Sequence, residues 1–263
     1  LFDPALLSIE EIYIFVLALI RTFALLAAVP VIGSEQVPAT VKTGLSLLLV
    51  ILTFSSIPRE SVVIAPDLLT LLFIILKEVL LGAAIGFAGR FVFAIVMFAG
   101  HIIGFQVGLS MSNVLDPTTN IQVPIIGQIL NIFAMILFLE FNAHHWVLFG
   151  LFESYRTLPL GELSLERLGP LSIVFGELVR QIFVLGFQIS APIMVIIMIK
   201  HATMGIIGKM APQINLLTVG IPIQIFLGIV VLVILLPSIR YFLEAVFGRY
   251  HDVIATIMRL FAP

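Results

Sequence analysis

Cysteine is absent from the 263-residue chain. That removes disulfides, thiolate zinc sites, iron–sulfur clusters and thiol catalysis from consideration, without fixing a redox compartment. Charge is nearly as scarce. Asp, Glu, Lys and Arg make up 11% of the residues, and 13 basic against 15 acidic side chains leave a net charge of −2. An average soluble domain is about 25% charged, so a soluble monomer is excluded for want of polar surface. No run of Lys or Arg exists to neutralise phosphates, which excludes a basic nucleic-acid binder. G-x-S-x-G, P-loop, GxGxxG and HExxH patterns are missing, as is any paired-carboxylate signature. Neither catalysis nor a bound cofactor is expected. Strand-type alternation survives over no long segment. The chain opens at Leu1 without an initiator Met, so residues preceding Leu1 are expected. No basic stretch precedes the first apolar run, so a cleavable signal peptide is not.

What is present is hydrocarbon. Apolar residues are 61% of the chain and the mean hydropathy is +1.23. At about 20 residues per span there is room for roughly six to eight transmembrane helices. The expected fold is all-α: a multi-helix membrane protein with kinked or broken helices. The first run, 12–32, is preceded by Ser8-Ile9-Glu10-Glu11, a capping-box pattern that starts a helix. A short run covers 44–57. Pro66-Asp67 opens a third that passes Lys77-Glu78 and reaches Arg90, too long for one simple span. A glycine-rich run covers 91–109, and others cover 123–139 and, weakly, 144–152. Charges and Pro/Gly pairs at 153–170 mark the best boundary. Beyond it, 171–199 and 216–236 flank a polar hairpin at 200–215, and 240–263 reads as a terminal amphipathic helix. Arg59, Arg156, Arg167, Lys200, Lys209 and Arg240 are scattered over several loops, so charge bias gives no orientation.

Four constellations stand out. Gly82 and Gly86, then Gly100, Gly104 and Gly108, recur at four-residue spacing and place small residues on one helix face. Close helix packing explains them, and a conduit lining or subunit contact is the functional alternative. The polar segment 105–122, FQVGLSMSNVLDPTTNIQ, lies between apolar helices and must face water or pack inside protein. It is either an external loop or a re-entrant loop that lines or blocks a pore, with Leu109, Met111 and Leu115 as apolar closure. Gly108 and Asp116-Pro117 would then supply hinge and turn. Arg21, Lys77, Glu78, Arg90, Glu140, Glu177 and Arg180 are embedded in apolar runs. Each must pair, snorkel or reach water. Salt bridging is favoured over an ion relay. Glu177 and Arg180 are spaced to pair directly, whereas the adjacent Lys77 and Glu78 each need a separate partner. His144-His145, near Glu140 and Glu153, lacks the further ligands of a metal site.

Five motifs then occur in order: Lys77-Glu78 through Gly82, Gly86 and Arg90; Gly100-His101 through Gly104, Gln106 and Gly108; Leu115-Asp116-Pro117 followed by Pro124, Gly127 and Gln128; Leu137-Phe138, Asn142 and His144 with Glu153-Ser154-Tyr155 and Leu158-Pro159-Leu160-Gly161; and Ala211-Pro212-Gln213 with Asn215, Gly220 and Pro222. Together they resemble the flagellar biosynthesis FliR family, a component of type III secretion export gates. The resemblance covers about residues 12–237 and reads closer to the flagellar than to the virulence branch. It implies a non-enzymatic subunit that assembles with FliP-like, FliQ-like and FlhB-like membrane proteins in the bacterial inner membrane, at the flagellar basal body. The implied assembly is a helical pore largely raised on the periplasmic side, through which unfolded proteins are exported. It further implies a FliP-like unit at 1–160, a FliQ-like helical hairpin and terminal helix at 161–263, and a plug loop at about 106–122. The family pattern there is matched by Gln106, Gly108, Asp116 and Pro117, with Leu109, Met111, Asn113 and Leu115 between them. Thr119-Asn120 stands where relatives often have glycine. A secondary transporter for a small solute is the alternative, motivated by embedded charges and glycine-broken helices.

Overall fold

Helices begin where a side chain can take up the orphaned amides of a first turn. Ser8 and Glu11 form the expected capping box, with Glu11 N–H donating to Ser8 Oγ at 3.2 Å and Ser8 N–H to Glu11 Oε2 at 3.3 Å. Asp67 Oδ1 accepts from Thr70 N–H at 2.6 Å, and Asn215 Oδ1 from Thr218 N–H at 3.3 Å. The computed structural model describes residues 8–59, 62, 64–109, 125–161, 169–213 and 215–261. Among them are seven α-helices and no strand: α1 (Ile9–Ala28), α2 (Ala39–Thr53, continued by a 3-10 turn at Phe54–Ser56), α3 (Leu68–Val107), α4 (Ile125–Glu140), α5 (Ala143–Thr157), α6 (Gly169–Met210) and α7 (Leu216–Phe261). Five are long and apolar enough to cross a membrane, and α4 with α5 make a possible sixth. The chain is an all-α membrane protein.

Three expected boundaries move. The runs 66–90 and 91–109 are one helix, α3, because no proline interrupts them and Arg90 is a good helix former. The polar hairpin at 200–215 shrinks to 211–215, since α6 continues to Met210. The separate terminal helix is the last part of α7, which runs through Pro222 and Pro237. A proline removes one backbone donor and crowds the preceding turn. Where water is absent, the remaining helical bonds still satisfy the backbone best. The break between α4 and α5 falls at Phe141-Asn142, where Asn142 takes a left-handed φ of 54°.

The chain packs as two compact units. Unit 1 comprises Leu1–Phe91, Asn142–Gly176 and Phe247–Pro263, and unit 2 comprises Val92–Phe141 and Glu177–Val246. In unit 1 the buried stripe of α1 runs Ile14, Leu17, Ala18, Arg21, Thr22, Leu25 and Leu26, a 3.6-residue rhythm. Ile74, Leu81 and Ile85 of α3 and Val147, Leu151 and Tyr155 of α5 are buried as well, and the Tyr155 hydroxyl donates to the Ala18 carbonyl at 3.1 Å. The core of unit 2 is built from Ile95, Ala99 and Ile103 of α3, Leu130, Ala134 and Leu137 of α4, Ile193 and Ile197 of α6, and Leu243 of α7. Phe98 sits edge-on to Phe183 and Phe187, with ring centroids 5.0 and 5.5 Å away.

Candidate functional site

In unit 1, one face of α3 reads Glu78, Gly82, Gly86, Arg90 at four-residue steps, and all four meet α1 or the turn after it. A Cβ at Gly82 would overlap the Arg21 carbonyl oxygen, and one at Gly86 would overlap the Leu25 carbonyl oxygen and the Ala28 Cβ. Glycine is therefore required at both positions for the two backbones to approach. At one end, Arg90 Nη2 donates to the carbonyls of Ala27 (3.1 Å) and Gly33 (3.4 Å). This places a cation on the negative C-terminal end of α1.

At the other end the charge is sealed. Arg21 and Glu78 are both fully buried, and Arg21 Nε donates to Glu78 Oε2 at 2.6 Å. Lys77 Nζ lies 3.4 Å from Glu78 Oε1 and donates to the Pro159 carbonyl at 3.1 Å. Two cations against one carboxylate leave one positive charge over, and the C-terminus of α5 takes it up. Arg21 Nη1 donates to the Ser154 carbonyl at 2.8 Å, and Nη2 to the Leu158 carbonyl at 3.0 Å. These carbonyls lie at the negative dipole end of a helix, and the Ser154 oxygen also accepts from Leu158 N–H at 3.1 Å. The Arg21 guanidinium also lies 5.2 Å from the Tyr155 ring centroid, and the Tyr155 hydroxyl is 2.6 Å from Thr22 Oγ1. Pro159 and Gly161, the latter at φ 83°, turn the chain away from this cluster. Ser154, Tyr155, Leu158 and Pro159 of these two motifs thus meet Arg21 and Lys77 where α5 ends.

In unit 2, α3 ends at Val107 and Gly108 turns the chain at φ 87°, a conformation that favours glycine. Gln224 of α7 faces this end. Its amide Nε2 donates to the Gln106 carbonyl. Its Oε1 accepts from Lys200 Nζ at 2.6 Å and from His201 Nε2 at 3.1 Å. Only this amide orientation and this histidine tautomer satisfy all three contacts. One turn along α7, a Cβ at Gly228 would overlap the Val107 side chain, so the two helices touch closely here.

Of the residues singled out for closing a pore, Gln106 and Leu109 are half-buried and Gly108 is buried. Met111, Asn113, Leu115, Asp116 and Pro117 lie outside the described residues. A Cβ at Gly100 would overlap the Gly127 backbone of α4, and Gly104 is buried. Two of the charge expectations need correction. Lys77 and Glu78 each find the separate partner expected, the Pro159 carbonyl and Arg21, but they also approach each other at 3.4 Å. Glu177 and Arg180 pair as spaced, at 2.6 Å, but on an exposed face of the isolated chain rather than in its interior. Arg90 is likewise exposed. Glu140 finds Arg240 at 2.7 Å. The rings of His144 and His145 stack 4.3 Å apart, and no three His, Asp or Glu side chains among the described residues group around a metal-sized space. Gln224, Lys200 and His201 were not picked out from the sequence as a group. The signal was there, because a lone glutamine in the uncharged run 216–236 must find a polar partner.

Comparison with known proteins gives a consistent answer. Residues 12–250 match the model of a family described as bacterial export proteins, family 1. A flagellar biosynthetic protein FliR from Escherichia coli K12 is 31% identical over 241 residues, covering 91% of this chain and 90% of that protein. A protein of the same name from Pectobacterium carotovorum is 30% identical over 242 residues, covering 91% and 90%. Another from Bacillus subtilis 168 is 29% identical over 249 residues, covering 94% and 95%.

Proposed function

The chain belongs to the FliR family of bacterial export proteins, and from that premise we propose that it is the flagellar export-gate subunit whose segment after Gly108 closes the export pore. It is a component of the flagellar type III export apparatus, a protein-transport machine of the inner membrane. The finer reading is that residues 1–160 form a FliP-like unit and 161–263 a FliQ-like hairpin with its terminal extension. The chain completes a helical ring with FliP-like and FliQ-like subunits, contacts an FlhB-like protein, and passes unfolded proteins without catalysing a reaction.

The observation that carries the pore-closing role is the end of α3. A forty-residue helix stops at a glycine with φ 87°, inside the polar stretch 105–122. Length supports a raised assembly. At 1.5 Å per residue α3, α6 and α7 are about 60 to 70 Å long, against about 30 Å of hydrocarbon, so they extend well beyond a bilayer. Solute transport loses its main motivation, since Arg21, Lys77 and Glu78 are occupied with one another and with the end of α5.

The test is electrical. The chain is co-expressed with its neighbouring membrane subunits, and the purified complex is placed in a planar bilayer. Deleting Leu109 to Asn113 raises the resting conductance if the segment is the plug, and an unchanged conductance overturns the assignment. Native mass spectrometry of the same preparation should show one copy of this chain with several copies of two smaller membrane proteins. A lone monomer or symmetric homo-oligomer would overturn the export-gate reading itself.

A further inference from the structure

We propose that a groove between α1 and α3 in unit 1 is a binding site for an anionic lipid, with an acyl chain along its floor and the phosphate on Arg90. The inference stands apart from the pore-closing role. The groove follows from where small residues fall. Gly82 and Gly86 bring α3 onto the backbone of α1. Beside that contact the lining is small again, with Ala24, Ala27 and Ala28 of α1 and Ala83 of α3. Methyl groups do not fill the space between the helices, and a groove of about 660 Å³ is left, with Leu19 and Phe23 in its wall. Pockets of about 300–1,000 Å³ are the usual size for holding a small molecule.

Charge and length point to the occupant. Among the described residues, Arg90 is the one charged side chain of the lining. Its Nη2 is taken up by the Ala27 and Gly33 carbonyls. Its Nε and Nη1 make no bond among the described residues, and the side chain is exposed. Lys42 Nζ donates to the Ser34 carbonyl of the same turn at 3.0 Å. Two cations against the single acid of that turn, Glu35, leave this end of the groove positive. Elsewhere the lining is apolar, since its one hydroxyl, on Thr43, is bonded to the Ala39 carbonyl at 2.9 Å. From Val79 to Arg90 the lining of α3 runs about 16 Å, close to the depth of one leaflet, half of about 30 Å of hydrocarbon. A site with one cation at its end and hydrocarbon along its length fits an amphiphile charged at one end. A partner helix would have to carry a carboxylate into the same apolar surroundings, which is costly.

A photocrosslink tests this. Benzoyl-phenylalanine replaces Phe23, and the full chain is co-expressed with its partner subunits. The purified complex is placed in vesicles of equal parts phosphatidylglycerol and phosphatidylcholine. Illumination followed by mass analysis of the chain counts the adducts of each lipid. The expected result is an about fivefold excess of phosphatidylglycerol adducts, the bias given by one cation near a headgroup. The same probe at Leu72, exposed on α3 and far from Arg90, should give a ratio near one. Arg90→Gln should bring the Phe23 ratio down to the Leu72 value, and Arg90→Lys, which keeps the charge without the fork, should retain part of the excess. Equal adducts of both lipids at Phe23 with Arg90 intact overturn the site and leave Arg90 as a cap on α1 alone. Adducts to a protein subunit in place of lipid overturn it in favour of a partner helix. An excess that persists in Arg90→Gln overturns the headgroup contact. The ratio with Arg90 intact decides between lipid and no lipid even if Arg90→Gln fails to assemble.

Discussion

The two units solve the same packing problem with opposite chemistry. In unit 1, α3 meets α1 along Glu78, Gly82, Gly86 and Arg90. In unit 2, α7 meets the end of α3 through Gln224 and Gly228. Both stripes use glycine to bring helices together and a polar side chain to set register. The first polar group is a carboxylate bonded to a fully buried arginine, with a lysine and the end of α5 completing the cluster. The second is a half-buried neutral amide whose α3 partner is a main-chain oxygen. A buried ion pair that loses one member leaves an uncompensated charge, whereas a broken neutral bond leaves groups that other partners can satisfy. The first contact is therefore a clamp that must not open.

Breaking the clamp should give the largest effect. Arg21→Ala or Glu78→Ala should cost about 3–5 kcal/mol, seen as a sharply lowered melting temperature of the extracted complex or as loss of the chain from the membrane. Conductance of any surviving complex should stay at the closed level. Next comes the glycine face. Gly86→Val pushes a branched side chain into the α1 backbone and should cost about 1–3 kcal/mol by overpacking, again as a lowered melting temperature. A wild-type melting curve for Gly86→Val would mean that the α1–α3 contact is looser than described.

Gln224→Leu should change stability by only about 1 kcal/mol, and a large stability loss would erase the distinction between the two contacts. The smallest effect is expected at the start of α3. Asp67 is held below the usual carboxylate range because it accepts the Thr70 amide and hydroxyl. Its native-state value is lowered, so its support of the first turn is complete above the unfolded-state range and fades as pH falls through the lowered value. The protection of the Thr70 amide, its exchange rate relative to the unstructured rate at the same pH, should fall on acidification, and Asp67→Ala should lower it at every pH.

Local patterns were legible without coordinates. Ser8 and Glu11 read as a capping box because the bonding is confined to four residues, and the structure has it. Glu177 and Arg180 read as a pair because helix geometry alone brings them together. The α3 glycines read as a packing face for the same reason. Helix ends were less legible. The sequence marks where charge accumulates, at Arg90, Lys200 and Arg240, but charge does not stop a helix whose backbone has nowhere better to bond. The Lys77–Glu78 approach was missed because side-chain spacing rules describe Cβ directions, and a lysine stem is long enough to defeat them.

From its composition and ordered motifs alone, the sequence determined that this is an all-α membrane protein of the FliR family. Tertiary structure alone decided which charge meets which. Arg21 and Glu78 stand 57 positions apart, and Gln106 and Gln224 118 apart, and no periodicity along the chain connects such distances. Their pairing follows from how the helices lie against one another, because a polar group in an apolar core takes whichever partner the packing brings within reach.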